Sequence, residues 1–407
     1  MDSRGIIELT KRFSAHNYGP LDVVLRSGEG SWVEDVEGKR YLDLLSAYGA
    51  LNFGHKNPRI VKAAHEQLEK LTLVSRAFFA ENFAYLCQEL AEFCGKDKVL
   101  LMNSGAEAVE TAVKAARKWA YEVKGVPQDE AQIIVCSDNF HGRTVTIIGF
   151  STSSDSRTNY GPFTPGFCCI PYGDADALEA AITDRTAAFI FEPILGEGGI
   201  IIPPDGYLQK VREICTRRNV LMVADEIQSG MCRTGKIFAC DHEGVSPDIY
   251  ILAKSLGGGI VPVSAIAAND AVMNVFTPGT HGSTFGGNPF ACAIAREVVA
   301  LIRDEKPHER AAELGAYGLE RLQAIKPGIV TAVRGRGLWY GIDIDPKTGT
   351  AKDFCKKLKY EGVLCKDTRV QTIRVVPPLT ISKEDLDWGL ERMAKVLTQV
   401  SVSVAVS

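Results

Sequence analysis

The residues Leu221-Met222-Val223-Ala224-Asp225-Glu226-Ile227-Gln228 decide how this chain folds. Four apolar residues in a row read as a strand buried on both faces, and the polar run after them marks its carboxyl end. A second apolar run, Ile249-Tyr250-Ile251-Leu252-Ala253, leads into Lys254-Ser255-Leu256-Gly257-Gly258-Gly259. If the two strands lie in one parallel sheet, Asp225 and Lys254 stand on the same rim. That rim, outside the carboxyl ends of the strands, is where open α/β sheets bind ligands. The glycine triplet lets backbone approach a ligand closely.

Each residue alone has an ordinary meaning. A lysine after a strand is commonly a solvated strand end, and an aspartate there commonly caps a helix. The pair suits pyridoxal phosphate chemistry. A lysine amine carries that cofactor covalently, and a carboxylate keeps its pyridine nitrogen protonated so that the ring accepts electrons.

Working outward, Val99–Met102, Ile133–Cys136 and Ala187–Phe191 are further short apolar strands, each followed by small or polar residues. Helical spacing recurs between them, at Ile60, Ala63, Ala64, Leu68 and Leu71, then in 83–93, 207–217 and 291–304. Strands alternating with helices predict an α/β fold on a mostly parallel sheet. After Met102, the turn Asn103-Ser104-Gly105-Ala106-Glu107-Ala108 opens a helix whose N–H groups and dipole favour an anion, although a plain serine cap looks similar. At the N-terminus, Leu21–Leu25 and Ser31–Val36 read as strands, with a hairpin at Glu37-Gly38 leading to Arg40–Asp43. The segment is too short for its own core and is expected to pack on the C-terminal part. Strands 330–335, 338–344 and 372–378 and helices 354–360 and 386–397 close the chain.

At 407 residues the chain exceeds the single-core limit of roughly 250–300 residues, so two domains are expected. A net charge of −4 gives no basic footprint for nucleic acid, and no apolar run approaches the ~20 residues that span a bilayer. The start, Met1-Asp2-Ser3-Arg4-Gly5, carries no signal-peptide core and no Arg/Ser-rich presequence, which points to the cytoplasm, with the mitochondrial matrix as the alternative if a presequence has been removed. Eleven cysteines stand mostly in apolar contexts without a Cys-x-x-Cys pair, so reduced buried thiols are expected and a metal site is not. The adjacent Cys168-Cys169 reads as strand core.

Five motifs, Asn103–Ala108, Asn139-Phe140-His141-Gly142-Arg143-Thr144, Glu192-Pro193-Ile194, Asp225–Gln228 and 281–289, stand in an order similar to that of the class III (ω-) aminotransferases. The resemblance runs from Ser14 to about Val396. It implies a fold-type I pyridoxal phosphate enzyme, with a large domain on a seven-stranded, mostly parallel sheet and a smaller α+β domain. The corresponding division is 1–47 packing with the small domain, 48–305 the large domain, 306–400 the small domain, and 401–407 a frayed tail. Within the family the likeness is to members that move the δ-amino group of ornithine to 2-oxoglutarate.

The resemblance also implies roles. Lys254 and Asp225 are catalytic. Gly105 and Ala106 give N–H donors to the cofactor phosphate, Phe140 stacks on the ring and Gln228 contacts the pyridoxal O3′. Ser283 and Thr284 reach the phosphate of a neighbouring subunit, so a homodimer with shared sites is expected. Tyr18, Tyr48 and Arg143 hold ornithine, and Glu197 pairs with Arg374. Without the resemblance, either tyrosine would be read as packing and Arg143 as a surface residue. His141 is read as a structural neighbour. Gly198 and Cys232 stand where Ala and Gly are commoner in the family, with no loss of chemistry expected. Aminotransferases of N-acetylornithine, 4-aminobutyrate or lysine are the nearest alternatives; a protein of this fold that has lost catalysis is a more distant one.

Overall fold

A computed structural model describes residues 1–325 and 328–398. Its largest sheet has seven strands in the order Lys98–Met102, Ser264–Ala268, Ile249–Leu252, Leu221–Asp225, Thr186–Phe191, Gln132–Cys136 and Phe167–Ile170. The pairs are parallel except the two made by Ser264–Ala268. Asp225 lies opposite Ile251. Lys254 follows that neighbouring strand, so both residues sit at one rim.

The apolar runs are continuous because both faces are covered. Side chains alternate: Val223, Ile190 and Ile133 face the helix Gly105–Trp119, while Met222, Phe189 and Ile134 pack with the helix Tyr207–Arg217. Each such side chain, taken from water, stabilises the fold by about 1.5–3 kcal/mol. The rim is thereby fixed from two sides.

A second sheet joins the chain ends. Leu25–Glu29, Trp32–Asp35 and Arg40–Asp43 run antiparallel, and Arg40–Asp43 pairs in parallel with Val363–Leu364. The third, antiparallel, holds Val330–Gly335, Tyr340–Ile344, Thr372–Val375 and Lys366–Thr368.

Some expectations need correction. Ser3–Phe13 is a helix, capped by Asp2, where only turns and strands were expected. None of its residues is buried, so it contributes no core stripe. Leu21–Leu25 is not a strand; pairing begins at Leu25 and runs through largely exposed residues to Glu29. Cys168 and Cys169 are in a strand but exposed, because Phe167–Ile170 is the sheet edge. Strand Ser264–Ala268 and helix Pro307–Gln323 went unread. Residues 399–407, which include the expected frayed tail, lie outside the described residues.

Candidate active site

Asp225 ends its strand with the carboxylate buried and doubly held. Oδ1 accepts from Ile227 N at 3.1 Å and Oδ2 accepts from His141 Nδ1 at 2.6 Å. Lys254 opens the 3-10 turn Lys254–Gly257 at φ +45°, a left-handed conformation that a non-glycine residue adopts only under constraint. Between them lies a cavity of about 220 Å³, lined also by Gly105, Ala106, Phe140, Glu192 and Gln228. Loss of water pulls the Lys254 amine below its usual range, more than the charges of Glu197, Asp225 and Glu192 restore. A less basic amine is more often free to take a proton.

The helix start has two uncommitted donors. Ser104 Oγ accepts from Glu107 N at 3.2 Å, and the Glu107 carboxylate accepts from Ser104 N at 2.6 Å and Asn103 N at 3.1 Å. That capping box leaves the N–H groups of Gly105 and Ala106 without a partner among the described residues, at the cavity wall.

Phe140 and His141 come from one turn. Glu192 accepts from Phe140 N at 2.8 Å and from Gly196 N at 3.0 Å, so it ties this turn to the loop carrying Glu197. Burial lifts the Glu192 carboxyl to about 7, against the pull of His141. Burial alone would push His141 down, but its bond to Asp225 and the charges of Asp225 and Glu192 outweigh this and raise it.

Arg374 is buried and ion-paired with Glu197, and the Tyr48 ring lies 4.8 Å from its guanidinium. Tyr48 occupies a turn, Ser46–Gly49, in which Ser46, Ala47 and Tyr48 all have positive φ. Asp43 secures its start by accepting from Leu45 N and Ser46 N. Gln228, expected at the pyridoxal O3′, donates its amide to Tyr48 O at 3.0 Å while lining the cavity.

Gly105, Ala106, Phe140, Asp225, Gln228 and Lys254 therefore meet at one cavity. The others stand apart from its lining. Tyr18 is 73% exposed, and Arg143 is exposed with its guanidinium 5.5 Å from the Phe140 ring. Thr284 is exposed, and Ser283 Oγ accepts from Asn103 Nδ2 at 2.9 Å. Two cavity groups were missed as functional: His141, set aside as a neighbour, and Glu192, to which no role was given. The available signals were separate: Glu192 directly follows a buried strand, and His141 stands beside Phe140, which was already assigned.

The class-III aminotransferase family model matches residues 13–397. This chain belongs to that family. An ornithine aminotransferase from Brevibacillus brevis is 54% identical over 96% of this chain and 98% of its own. The crystal structure of the ornithine aminotransferase from Toxoplasma gondii ME49 superposes with a TM-score of 0.96 at 44% identity, covering 98% of this chain and 95% of that one. An acetylornithine aminotransferase from Elizabethkingia anophelis superposes with a TM-score of 0.89 at 46% identity, covering 98% and 99%.

The family uses pyridoxal 5′-phosphate, and the residues fit it. The free N–H pair at a helix start suits its phosphate, the Lys254 amine its aldehyde, the Asp225 carboxylate its ring nitrogen and the Phe140 ring its face. Among the described residues, no trio of His, Cys, Asp or Glu is placed to hold a metal ion.

Proposed function

We propose that this chain transfers the δ-amino group of L-ornithine to 2-oxoglutarate, giving glutamate 5-semialdehyde and glutamate. The observation that carries this reading is the Glu197–Arg374 pair, capped by the Tyr48 ring and electrostatically felt by the Lys254 amine. One site has to seat two substrates in opposite senses. While Arg374 is paired, its charge is spent, and ornithine anchors at Arg143 and Tyr18 with its distal amine inward. When Glu197 swings away, Arg374 presents a planar fork to the α-carboxylate of 2-oxoglutarate.

Pyridoxal phosphate supplies the electron sink that makes a substrate C–H acidic. Gly105, Ala106 and Phe140 bind it, and Asp225 keeps the proton on its ring nitrogen. Lys254 takes the substrate proton and returns it one step further on, a role that its lowered basicity suits.

The same reading includes a homodimer in which Ser283 and Thr284 complete the neighbour's phosphate site. Large apolar side chains left exposed on one chain, Phe79 at 105% and Phe285 at 55%, support an assembly that covers them. It includes the division into 1–47, 48–305 and 306–400, and a cytoplasmic location. Among the described residues, no helix is long and apolar enough to cross a membrane.

The test is to incubate the pure, cofactor-loaded protein with ornithine and 2-oxoglutarate and trap the cyclised semialdehyde. No trapped product, with N-acetylornithine reacting faster in the half-reaction, would move the assignment to the acetylated substrate. The likeness to the acetylornithine enzyme makes that arm worth running.

A further inference from the structure

We propose that His141 is a positioning residue for this reaction: its Nδ1–H holds the Asp225 carboxylate aimed into the cavity. The proposal rests on reading the cavity as a pyridoxal phosphate site.

The geometry is specific. The Nδ1···Oδ2 distance of 2.6 Å is that of a charge-assisted bond, and both side chains are nearly without solvent contact. Since a carboxylate only accepts, Nδ1 is the donor. With Ile227 N on Oδ1, each oxygen of Asp225 carries one fixed bond, so the group cannot rotate away from the cavity that it lines.

His141 gains nothing else polar. Its Nε2 is buried and has no partner among the described residues. A buried ring with one unsatisfied nitrogen is a poor core residue, because an apolar ring of similar size avoids that cost. The Asp225 bond is what distinguishes imidazole here.

The turn is built to deliver the ring. Asn139 Nδ2 donates to Cys136 O at 2.6 Å and Phe150 O at 3.1 Å, and Phe140 N to Glu192 at 2.8 Å. Gly142, at φ +136°, brings the backbone so near the phosphate-cup helix that a Cβ there would meet that of Ala106 at 3.0 Å. Phe140 and His141 are thus presented by one rigid piece. The charged groups facing the imidazole are Glu192, from the end of the neighbouring strand Thr186–Phe191, and Asp225, from the end of the strand beyond it, and together they favour its proton.

The test uses the cofactor-loaded wild type with H141F and H141N. Phenylalanine keeps a ring and removes the donor. Asparagine places an N–H near the Nδ1 position without titrating. The readouts are the pyridoxal phosphate dissociation constant, the visible band of the lysine-bound cofactor across pH, kcat and KM separately, and the melting temperature of the cofactor-free protein.

H141F is expected to weaken cofactor binding and lower kcat by about tenfold to a hundredfold, the range for a lost bond to a charged group. KM for 2-oxoglutarate should change little, while the pH midpoint of the band moves. H141N should recover most of the affinity and the wild-type band even where it melts earlier. An H141F protein equal to wild type in affinity and band overturns the proposal, and so does H141N falling as far as H141F. If the wild type takes up no pyridoxal phosphate, the site reading fails and the proposal with it, which separates the two failures.

Discussion

The cofactor cup and the substrate mouth of this molecule are built differently. The cup draws on one sheet: Asp225, Glu192 and Lys254 sit at or just past strand ends, and His141 is on the turn after a fourth strand, with Asp225, His141 and Glu192 held by short bonds. The mouth draws on chain segments far apart in sequence, and part of it is bare. Tyr18 and Arg143 are exposed in the single chain, while Arg374 and Tyr48 are pressed together. The ring-binding part of the cup therefore owes its geometry to the fold of one chain. The mouth depends on what closes over it.

The sharpest way to break that contrast is at Lys254. Lys254→Ala should lower turnover by at least about a thousandfold, since it removes both the covalent anchor and the proton carrier. Product trapping measures the loss, with circular dichroism confirming the fold. Retained turnover would mean that the cup is not where chemistry happens.

Glu197→Ala comes next. Freeing Arg374 should shift the preference from ω-amines toward α-amino acids by about tenfold to a hundredfold, the worth of a charge-assisted bidentate contact. Half-reaction rates with ornithine and with glutamate give the ratio. An unchanged ratio would sink the switch.

The strands and the cup were the legible parts. Continuous apolar runs betray strands covered on both faces, and a polar residue at each end marks the rim. Ser3–Phe13 was legible, since Ile6, Leu9 and Phe13 stand at helical spacing, and it was passed over because these few apolar residues are set among charged ones. Leu21–Leu25 misled because only its last residue, Leu25, enters a strand, while the rest of that strand is mostly exposed and carries its pattern in hydrogen bonds. Cys168 and Cys169 looked like core because a short apolar run cannot say whether its strand is central or at the edge. At the site, motifs placed Asp225 and Lys254, but nothing local to His141 says that it meets a residue 84 positions later. The left-handed turn at 46–48 was equally silent, since those residue types do not announce a positive φ.

Thr284 tests the phosphate end of the cup. Because it is exposed, Thr284→Ala should leave the stability of a single chain within about 0.5 kcal/mol. If it completes a neighbour's phosphate site, cofactor affinity should still fall by about tenfold, the lower end of the worth of one hydrogen bond to a charged group. Titrating the cofactor into the cofactor-free protein decides it; unchanged affinity would mean that the phosphate end of the cup is complete within one chain.

The smallest effect is the most telling about the cup. Glu192 has a folded pKa of about 7 against an ordinary 4.5, because burial penalises its charge. An acid with a raised folded value binds its proton more tightly when folded. Its contribution to stability is therefore complete below about 4.5 and is lost as pH climbs through 7, by about 3 kcal/mol as an upper limit. Glu226, also near 7 through burial, adds a parallel trend, so the wild-type curve alone cannot separate them. Glu192→Gln can. The variant cannot ionise, and it loses one acceptor from the pair that holds Phe140 N and Gly196 N, which lowers its melting temperature at every pH. What changes with pH is the gap. In the cofactor-free protein it should narrow by a few degrees between pH 5 and pH 8, as wild type surrenders the protonated form and the variant does not. A gap constant across that range would mean that Glu192 stays charged in the fold. In that case the cup would be wetter than its burial indicates, and closer to the mouth in kind.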